Sequence, residues 1–486
     1  MSPRRKHFAL CVLAGLSFTS AQAPLGIWPG VVLGFALSVW LLRISETPLR
    51  AFWTGWSIGA SYFATSLIWI VEPFLVDFAA TAWMAPFALV LMASGLALFW
   101  AMPFWGAAKL GKPVTILALW PLAEYARSVL FSGFPWGLSA YAWVDTPVAQ
   151  IAAWVGPHGL GALTLALAAL PVFIGLRLGS ALGLAGLLGL AGLGLMRLGD
   201  TPPQADDAPI IRLTQPNAPQ HQKWDPDYAP IFFRRLTLAT AAAPHPDLVV
   251  WPETSLPTWL NDADQALELI TDAAAGVPVL IGAQRYEGLR AYNSLALLDE
   301  AGRIGQIYDK HHLVPFGEFL PLKAMLSTLG MGVLTETYGG FTPGAGPALM
   351  DLGPIGKALA LICYEAVFPH QMTSVDGRPR FLLHVTNDAW FGTWSGPYQH
   401  LAQAQFRAIE QGLPLLRSAN TGITASIDAN GQILRSLALG ESGYLDSTLP
   451  PRFAPTLYAR FADIPALLIL IALFCVTLLP YRSPKR

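Results

Sequence analysis

Three short stretches in the second half of the chain each place one reactive side chain beside an apolar, strand-like run. They supply the carboxylate of Glu253, the ammonium of Lys310 and the thiol of Cys363. A base, a fixed cation and a thiol are the parts of a cysteine nucleophile that has its own base and a partner for a developing oxyanion. The three residue types therefore predict covalent acyl-transfer chemistry.

Glu253 follows Trp251 and Pro252 at the end of an apolar run. Burial among such side chains disfavours the charged carboxylate and raises its pKa, which suits a general base for a thiol. Taken alone, Glu253 could instead be an acid at a helix N-terminus or one partner of a surface salt bridge, since Thr254 and Ser255 can cap a helix. Its assignment as a base therefore depends on what lies near it.

Lys310 and Cys363 also have ordinary interpretations when each is taken alone. Most lysines are solvated, and a buried cysteine at the end of a strand usually serves packing. In a site, Lys310 would hold a positive charge against an oxyanion, and Glu318 could pair with it or support its loop. The neighbouring Glu365 is expected to raise the pKa of the Cys363 thiol. A nucleophilic Cys363 therefore requires Lys310 and Glu253 to converge on it.

The composition divides the chain into an apolar first part and a more polar second part. Of 486 residues, 53% are hydrophobic and 13% are charged, against about 25% charged in ordinary soluble proteins. Residues 1–200 contain 16 of the 61 charged residues, and residues 201–486 contain the other 45. We therefore expect membrane helices first and a largely soluble region after them. The net charge of −1 argues against a nucleic-acid-binding domain, which would carry a basic excess.

The cysteine and histidine content favours a single reactive thiol. Cys11, Cys363 and Cys475 offer no disulfide framework. Cys11 and Cys475 lie in apolar runs, where a structural thiol is expected, so Cys363 is the one cysteine of the polar part. No Cys and His spacing predicts a metal site, and His311 and His312 are interpreted as part of a loop.

Eight predominantly apolar runs are candidate membrane spans, since a span needs roughly 20 such residues. They lie at about 8–23, 25–42, 51–71, 81–108, 113–131, 148–176, 180–199 and 461–480. The first follows Arg4, Arg5 and Lys6 and resembles a signal peptide with a cleavage site at residues 21–23, but further spans follow it directly. We therefore expect an uncleaved first transmembrane helix.

The charges of the connecting loops predict the orientation of these spans. With the N-terminus in the cytoplasm, eleven Lys and Arg residues lie inside and two lie outside. The eleven are Arg4, Arg5, Lys6, Arg43, Arg50, Lys109, Lys112, Arg177, Arg482, Lys485 and Arg486, and the two are Arg127 and Arg197. The prediction is a membrane domain of seven helices at 1–204, an extracytoplasmic domain at 205–455 and a final span with a cytoplasmic tail at 456–486.

The region 205–455 alternates strand-like and helix-like segments. Apolar strand-like runs lie at 210–213, 248–251, 279–282, 291–298, 358–363 and 381–385, and helical stretches lie at 227–241, 261–275 and 397–411. This alternation predicts an α/β domain whose reactive residues lie at strand ends. Periodicity alone does not identify the order of its strands.

Several motifs carry a resemblance to a known family. They are Trp-Pro-Glu at 251–253, Leu-Val-Pro-Phe-Gly-Glu at 313–318, Cys-Tyr-Glu at 363–365, Thr-Asn-Asp-Ala-Trp-Phe-Gly at 386–392, Gln-His at 399–400, and the runs 407–410, 417–422 and 133–136. Glu253, Lys310 and Cys363, spaced by 57 and 53 residues, resemble the Glu–Lys–Cys set of the nitrilase superfamily, the carbon–nitrogen hydrolases. With its membrane helices, nearly the whole chain resembles the apolipoprotein N-acyltransferase family, which completes bacterial lipoprotein maturation.

The resemblance implies an αββα sandwich for the catalytic domain and a role for each matched residue. Glu253 would be the general base, Lys310 the stabiliser of the tetrahedral intermediate and Cys363 the nucleophile. Four further residues would be essential to the site, with Glu318 supporting the lysine and its loop. They are Trp224, Glu318, Tyr364 and Glu365.

The resemblance further implies a ping-pong transfer between two lipid substrates. The Cys363 thiolate would attack the sn-1 ester of a phospholipid and retain the acyl chain as a thioester. The α-amino group of a diacylglyceryl-modified N-terminal cysteine of an apolipoprotein would then take the chain. No metal or organic cofactor is expected. The expected location is the inner membrane, with the catalytic domain on the periplasmic side and both termini in the cytoplasm.

Both substrates would reach the site from the bilayer surface. Trp390, Phe391 and Trp394 are expected to dip into the interface. Residues 319–343, which contain four glycines, are predicted to form a mobile lid that admits acyl chains, and an ordered surface loop is the alternative.

Two other functions fit parts of the sequence. In a membrane-tethered nitrilase-type amidase, water would take the acyl group from the same cysteine, although hydrolysis of a small soluble amide needs no membrane scaffold. A transporter or receptor should carry ionisable residues within its spans. Glu72, Asp77, Glu124 and Arg127 instead lie near span ends, and the last two, one helical turn apart, are expected to pair or to touch lipid headgroups.

Overall fold

The computed structural model describes residues 2–321 and 340–479, and it divides into two compact units. The first unit comprises Met1–Thr201, Trp394–Gln411 and Pro455–Arg486, and the second comprises Pro202–Thr393 and Gly412–Ala454. Most of the predicted lid at 319–343 lies outside the described residues.

The first unit is helical throughout its described residues. Helices α1 to α8 are Pro3–Ala21, Pro29–Arg43, Pro48–Ser66, Phe78–Thr81, Ala85–Lys109, Ile116–Val129, Ala152–Ile174 and Leu176–Gly199. Helices α11 to α13 are Gly396–Gln411, Leu457–Phe461 and Ile464–Leu478. Proline begins α1, α2 and α3, where its fixed φ suits a helix and its missing N–H would have no intrahelical partner.

Three helical stretches among the described residues are long and apolar enough to cross a membrane. They are Phe78–Lys109, Pro147–Ile174 and Leu176–Gly199, and a fourth is obtained if Pro48–Ser66 and Ile68–Leu75, bent by 46°, count as one span. A helix lies at each of the eight predicted positions, but α2 and α13 have 15 residues and α6 has 14. At about 1.5 Å per residue these helices are shorter than the roughly 30 Å hydrocarbon core. The structure therefore shows three clear spans, where the sequence predicted eight.

A buried ion pair organises the end of α6. Arg127 Nη2 lies 2.7 Å from Glu124 Oε2, so the two residues pair as predicted. Trp100 Nε1 donates to Glu124 Oε1 at 2.6 Å, and Arg127 Nη1 donates to the carbonyls of Phe134 at 2.5 Å and Trp136 at 2.8 Å. Because both charges are compensated by fixed protein groups, this pair supports a structural role for the 133–136 motif.

Helix α11 is fastened within the first unit by one glutamine. Gln399 Oε1 accepts hydrogen bonds from the indoles of Trp69 at 3.2 Å and Trp136 at 2.7 Å. Its Nε2 donates to the carbonyls of Ser66 at 3.0 Å and Ala23 at 3.3 Å. The side-chain amide thus uses both of its donors and both lone pairs of its acceptor.

The second unit contains two six-stranded sheets among its described residues. Strands β1 to β6 are Ile210–Gln215, Leu248–Val250, Val279–Glu287, Arg290–Leu298, Ile304–Asp309 and Leu349–Asp351. Strands β7 to β12 are Lys357–Ile362, Phe381–Thr386, Leu415–Ala419, Thr424–Ile427, Ile433–Leu437 and Gly443–Thr448. The orders are β12-β1-β2-β3-β4-β5 and β11-β10-β9-β8-β7-β6, with β1-β2-β3 and β7-β8-β9 parallel.

The core of this unit lies between the two sheets. Val250 and Leu280 of the first sheet share one buried cluster with Ala360 and Leu383 of the second. Helices α9, Ala229–Ala241, and α10, Asp264–Ala274, cover the other face of the first sheet, where they pack in a second cluster with Trp251. Strands buried on both faces need apolar residues at every position, which explains their continuous apolar runs.

The candidate reactive residues follow the carboxyl ends of these strands. Lys310 comes directly after β5, Cys363 directly after β7, and Glu253 three residues after β2. Strands that run in the same direction present their carboxyl ends at one edge of a sheet. Strands β2 and β5 run in the same direction in the first sheet, so Glu253 and Lys310 lie at one edge of it, and β7, which precedes Cys363, belongs to the second sheet, which packs on the first.

Candidate active site

The carboxylate of Glu253 is buried and oriented by two donors. Its side chain lies between Asn293 Nδ2, which donates to Oε1 at 2.7 Å, and the Asn387 backbone N–H, which donates to Oε2 at 2.8 Å. Burial raises the pKa of Glu253, and the nearby Lys310 ammonium opposes that effect. The carboxyl pKa therefore lies above its ordinary value, as predicted for a base that takes a thiol proton.

The ammonium of Lys310 is 1% exposed and faces two carboxylates. Its Nζ lies 2.8 Å from Glu318 Oε1 and 3.6 Å from Glu253 Oε1. Burial alone would lower the pKa of Lys310, but these carboxylates hold it above its ordinary value, so the cation is retained. Glu318 Oε2 also accepts the Val314 N–H at 2.7 Å. Glu318 thus both pairs with the lysine and supports its loop, the two alternatives predicted from the sequence.

Cys363 lies at a sharp turn between a strand and a short helix. Strand β7 ends at Ile362, and a 3-10 helix begins at Cys363 and ends at Val367. The φ of Cys363 is +52°, in the left-handed region that side chains other than glycine rarely adopt. Such backbone strain, on the order of 1–3 kcal/mol, persists where surrounding contacts enforce it and is common at functional sites.

The thiol of Cys363 is held in its protonated form. Burial raises the pKa of Cys363 most, and the Glu253 carboxylate raises it further, while Lys310 and a hydrogen bond with Thr386 act in the opposite direction. Among the charged side chains Glu253 raises this pKa most, and Asp388 raises it as well. The expectation that Glu365 raises it stays a prediction. A neutral thiol needs a base to become a nucleophile, and Glu253 is near enough for its charge to raise the pKa of the thiol.

The backbone carbonyl of Cys363 is fixed by a histidine and an arginine. Arg417 Nη1 lies 2.8 Å from His384 Nδ1, and because a guanidinium can only donate, Nδ1 must be the acceptor. His384 Nε2 therefore carries the proton and donates to the Cys363 carbonyl at 3.1 Å. Arg417 is itself paired with Asp388. This chain of contacts fixes the carbonyl group of the strained turn at Cys363.

Glu365 connects two loops of the site. Its carboxylate accepts the backbone N–H groups of Ile362 at 2.7 Å, His311 at 2.7 Å and His312 at 3.2 Å. It also accepts the hydroxyl of Tyr308 at 2.9 Å. Glu365 therefore ties the end of β7 to the segment after β5, and so sets the distance between the thiol and the ammonium.

The remaining two residues implied by the resemblance are Tyr364 and Trp224. The ring of Tyr364 packs 4.9 Å from that of Phe368 and 5.7 Å from His312, measured between centroids. Trp224 is 42% exposed, and the ammonium of Lys223 lies 5.5 Å from its ring centroid. Tyr364 thus lies in an aromatic cluster next to Cys363, and the role of Trp224 in the site stays a prediction.

Comparison with known proteins agrees with this architecture. The family model described as apolipoprotein N-acyltransferase N-terminal domain matches residues 14–170, and the carbon–nitrogen hydrolase model matches residues 212–454. The chain is 37% identical to the apolipoprotein N-acyltransferase of Rhodopseudomonas palustris, over 99% of this chain and 96% of that protein. It is 39% identical to that of Caulobacter vibrioides, over 95% and 92%. The chain belongs to the apolipoprotein N-acyltransferase family.

As a member of the apolipoprotein N-acyltransferase family, the chain is an acyltransferase with a nitrilase-like α/β domain. Among the described residues, no group of three or more His, Cys, Asp and Glu side chains is arranged to hold a metal ion. His311 Nδ1 lies 2.6 Å from Glu365, and the ring of His312 packs 3.8 Å from that of Phe368. The two histidines are thus engaged in protein contacts of the loop.

Sequence reasoning missed a second buried lysine in this candidate site. Lys223 Nζ donates to the Glu253 carbonyl at 3.1 Å and to Thr254 Oγ1 at 2.5 Å. Burial lowers the pKa of Lys223 to about 8. The backbone segment that Lys223 binds is strained, since Thr254 has a φ of +46°. Its position next to Trp224 was the only signal in the sequence.

Two further residues in contact with the Glu253 segment were also missed. Asn293 binds the Glu253 carboxylate, and Gly282 lies against its backbone. Asn293 Nδ2 reaches Glu318 Oε1 at 3.3 Å as well as Glu253, and a polar residue within the apolar run 291–298 was its signal. At Gly282, an added Cβ would lie 2.1 Å from the Pro252 carbonyl oxygen and 2.7 Å from Glu253 Cα. Only glycine allows β3 to approach the segment that carries the carboxylate.

Proposed function

We propose that the chain transfers an acyl chain from the sn-1 position of a phospholipid to the α-amino group of the diacylglyceryl-modified N-terminal cysteine of an apolipoprotein. The transfer passes through a thioester on Cys363. The observation that carries this proposal is the buried set in which Glu253 and Lys310 act electrostatically on a neutral Cys363 thiol. The names and near full-length similarity of the relatives support the choice of acceptor.

In the first half-reaction, Glu253 accepts the Sγ proton of Cys363 as the sulfur attacks the ester carbonyl carbon. A base is needed because the pKa of the thiol is raised by burial. The carbonyl oxygen becomes an oxyanion, and Lys310, kept cationic by Glu318, stabilises it. The carbon–oxygen ester bond then breaks, the leaving lysophospholipid oxygen takes the proton from Glu253, and the acyl chain remains as a thioester.

In the second half-reaction, the neutral α-amine of the apolipoprotein attacks the thioester carbonyl. Glu253 takes a proton from the attacking nitrogen, and Lys310 again faces the oxyanion. The carbon–sulfur bond breaks, the thiolate of Cys363 leaves and Glu253 returns the proton to it. A thiolate leaves more readily than an alkoxide, so the thioester suits an amine acceptor. The resting enzyme and an N-acylated lipoprotein result, which is ping-pong behaviour.

The proposed topology places the catalytic unit on the periplasmic side of the inner membrane and both termini in the cytoplasm. The excess of eleven inside over two outside Lys and Arg residues supports it. All eight predicted spans cross in this arrangement. The shorter helices α2, α6 and α13 then require local bilayer thinning or flanking residues that extend to the interface.

The decisive experiment is intact mass spectrometry of the purified full-length protein after incubation with phospholipid alone. The expected result is an acyl adduct on the wild type and on the matched control Cys475→Ala, and none on Cys363→Ala. A diacylglyceryl-cysteine peptide should discharge the adduct and carry the acyl chain away. Discharge by water at the same rate would instead indicate a hydrolase. A competent protein without any adduct would overturn the phospholipid as donor.

A further inference from the structure

A basic groove lies in the second unit, and none of the candidate catalytic residues Glu253, Lys310 and Cys363 lines it. It encloses about 440 Å³ and is lined by four cationic side chains, those of Lys357, Arg378, Arg380 and Arg452, which define the basic groove. None of its lining residues, all within the part of the chain that the structure describes, is acidic. Asp206 and Asp207 are exposed and follow the lining residue Ala205 in sequence, but neither lines the groove.

The arginines of the basic groove donate hydrogen bonds to backbone carbonyls. Each guanidinium carries five N–H donors in a fixed planar arrangement. The bonds are Arg378 Nη2 to Phe453 O at 2.6 Å, Arg380 Nη1 to Ile355 O at 2.9 Å and Arg452 Nη1 to Pro379 O at 2.9 Å. Gly356 allows Arg380 to pass, since a Cβ there would lie 3.1 Å from Arg380 Cδ. A carbonyl orients a guanidinium without neutralising its charge.

The basic groove lies at the opposite end of the second sheet from the thiol. Lys357 begins β7 and Cys363 follows its last residue, so at about 3.3 Å per residue the two are about 20 Å apart. Arg380 donates its N–H to the Lys357 carbonyl at 2.7 Å, just before β8 begins. The phosphate and the sn-1 ester of one phospholipid are joined through glycerol and lie much closer together than that. A phosphate in the basic groove therefore belongs to a different molecule from the acyl donor.

We propose that the basic groove binds the phosphate of an anionic phospholipid that takes no part in the acyl transfer. Four cations around one cavity complement a phosphodiester, and Leu449 and Pro450 add an apolar wall for the glycerol and the start of its chains. The groove-lining residue Gln204 follows the end of the apolar helix α8 by five residues, and Arg452 precedes α12 by five. Clustered Lys and Arg side chains attract anionic lipid headgroups electrostatically. The site goes beyond the proposed function.

Native mass spectrometry of the full-length protein in detergent tests this site. The protein is titrated with phosphatidylglycerol, with zwitterionic phosphatidylcholine and with inorganic phosphate. The test variant is Lys357→Glu/Arg452→Glu, and the matched control is Arg234→Glu/Arg290→Glu, which changes the net charge equally at two other exposed positions. We expect the test variant to lose about 30-fold or more in affinity for one phosphatidylglycerol, from the contribution of two cations. The control should bind as the wild type does.

Three results would overturn the proposal. They are equal binding of phosphatidylglycerol by the test variant and the wild type, an equal loss in the control, and displacement of the lipid by inorganic phosphate at the same concentration. The last would identify a site for a free anion. The circular dichroism spectrum and the thermal unfolding transition of the test variant check that it is folded, and Lys357→Gln/Arg452→Gln replaces it if it is not. Because this assay requires no acyl transfer, its failure is distinguishable from failure of the proposed function.

Discussion

The backbone N–H of Asn387 donates a 2.8 Å hydrogen bond to Oε2 of Glu253, across 134 positions of sequence. Asn387 follows β8 of the second sheet, and Glu253 follows β2 of the first. A backbone N–H can only donate, so the oxygen it faces must accept. The orientation of the candidate base is therefore set by how the two sheets pack, and it is preserved only while both sheets keep their register.

Glu253→Gln should abolish thioester formation almost completely. The amide cannot take the thiol proton, and its NH2 group would face one of the two donors that now bind the carboxylate. Loss of a general base typically lowers a rate by about 10²- to 10⁴-fold. The check is a time course of acyl-adduct formation by intact mass. Glu300→Gln, at an exposed position, is the control, and a Glu253→Gln rate within a factor of ten of the wild type would refute the assignment.

Lys310→Met should destabilise the protein as well as inactivate it. Glu253 and Glu318 share the amide of Asn293 and face the same ammonium, so its removal leaves two buried carboxylates with no cation between them. Breaking a buried pair in this way costs about 3–5 kcal/mol in the free energy of unfolding.

Chemical denaturation of the purified protein measures this change. Lys310→Arg, which keeps the charge but not the shape, should recover stability without recovering thioester formation. A Lys310→Met protein as stable as the wild type would show that the carboxylates are protonated rather than paired.

The buried ammonium of Lys223 predicts a stability change at alkaline pH. Burial lowers the pKa of Lys223 to about 8 from an ordinary 10.5, so between these values the unfolded chain binds more protons there than the folded chain. The penalty for burying the charge is therefore constant below pH 8 and is relieved as the pH rises to 10.5. Between pH 8 and pH 10.5 the free energy of unfolding of the wild type should therefore rise by roughly 3 kcal/mol relative to that of Lys223→Met.

Denaturation of Lys223→Met and the wild type at pH 7, 9 and 10.5 provides the measurement. Lys357→Met, which removes a lysine at an exposed position, is the control. A Lys223→Met difference that does not change with pH would mean that Lys223 keeps its charge in the folded state throughout.

Gly282→Ala should displace the segment that carries Glu253. The new Cβ would lie 2.1 Å from the Pro252 carbonyl oxygen, closer than atoms can approach, so the backbone of one strand or the other must move. We expect a loss of about 1–3 kcal/mol in stability, as for overpacking, and a larger proportional loss in acyl-adduct formation. Gly305→Ala on β5, where the nearest atom would be 3.8 Å away, is the matched control. Equal behaviour of the two variants would remove the argument for a close approach at Gly282.

The ends of strands were the part of the site that the sequence could predict. An apolar run followed by one charged or nucleophilic residue locates both the strand and the side chain, which explains why Glu253 and Cys363 were proposed. Strand β5 at 304–309 is not an apolar run and was not predicted, so Lys310 was proposed only because it completes the set of a base, a cation and a thiol. The raised pKa of Glu253 followed from its apolar neighbours, because burial is its main cause. For Glu318 the sequence offered two roles, pairing with Lys310 or holding a strained loop suggested by Pro315 and Gly317, and the structure shows the pair.

Contacts between distant parts of the chain could not be predicted in the same way. Arg417 reaches His384 across 33 positions, and Lys223 reaches the Glu253 carbonyl across 30, with nothing local to indicate either partner. Glu365 adjoins the thiol in sequence, yet its carboxylate is used by backbone N–H groups of another loop. The sequence predicted eight spans and the described residues contain three clear ones, because an apolar run does not reveal where its helix begins and ends.

Helix α11 belongs to one domain by sequence similarity and to the other unit by its contacts in space. The carbon–nitrogen hydrolase match runs through it without a break, but in space it belongs with the helices of the first unit, where Gln399 binds Trp69 and Trp136. A contiguous fragment cut at the sequence boundaries would carry α11 away from those partners and expose its buried amides to solvent. Recombination between relatives at the same boundaries would combine Gln399 of one protein with Trp69 and Trp136 of another. The helical segment before residue 202 and helix α11 must therefore stay compatible with each other.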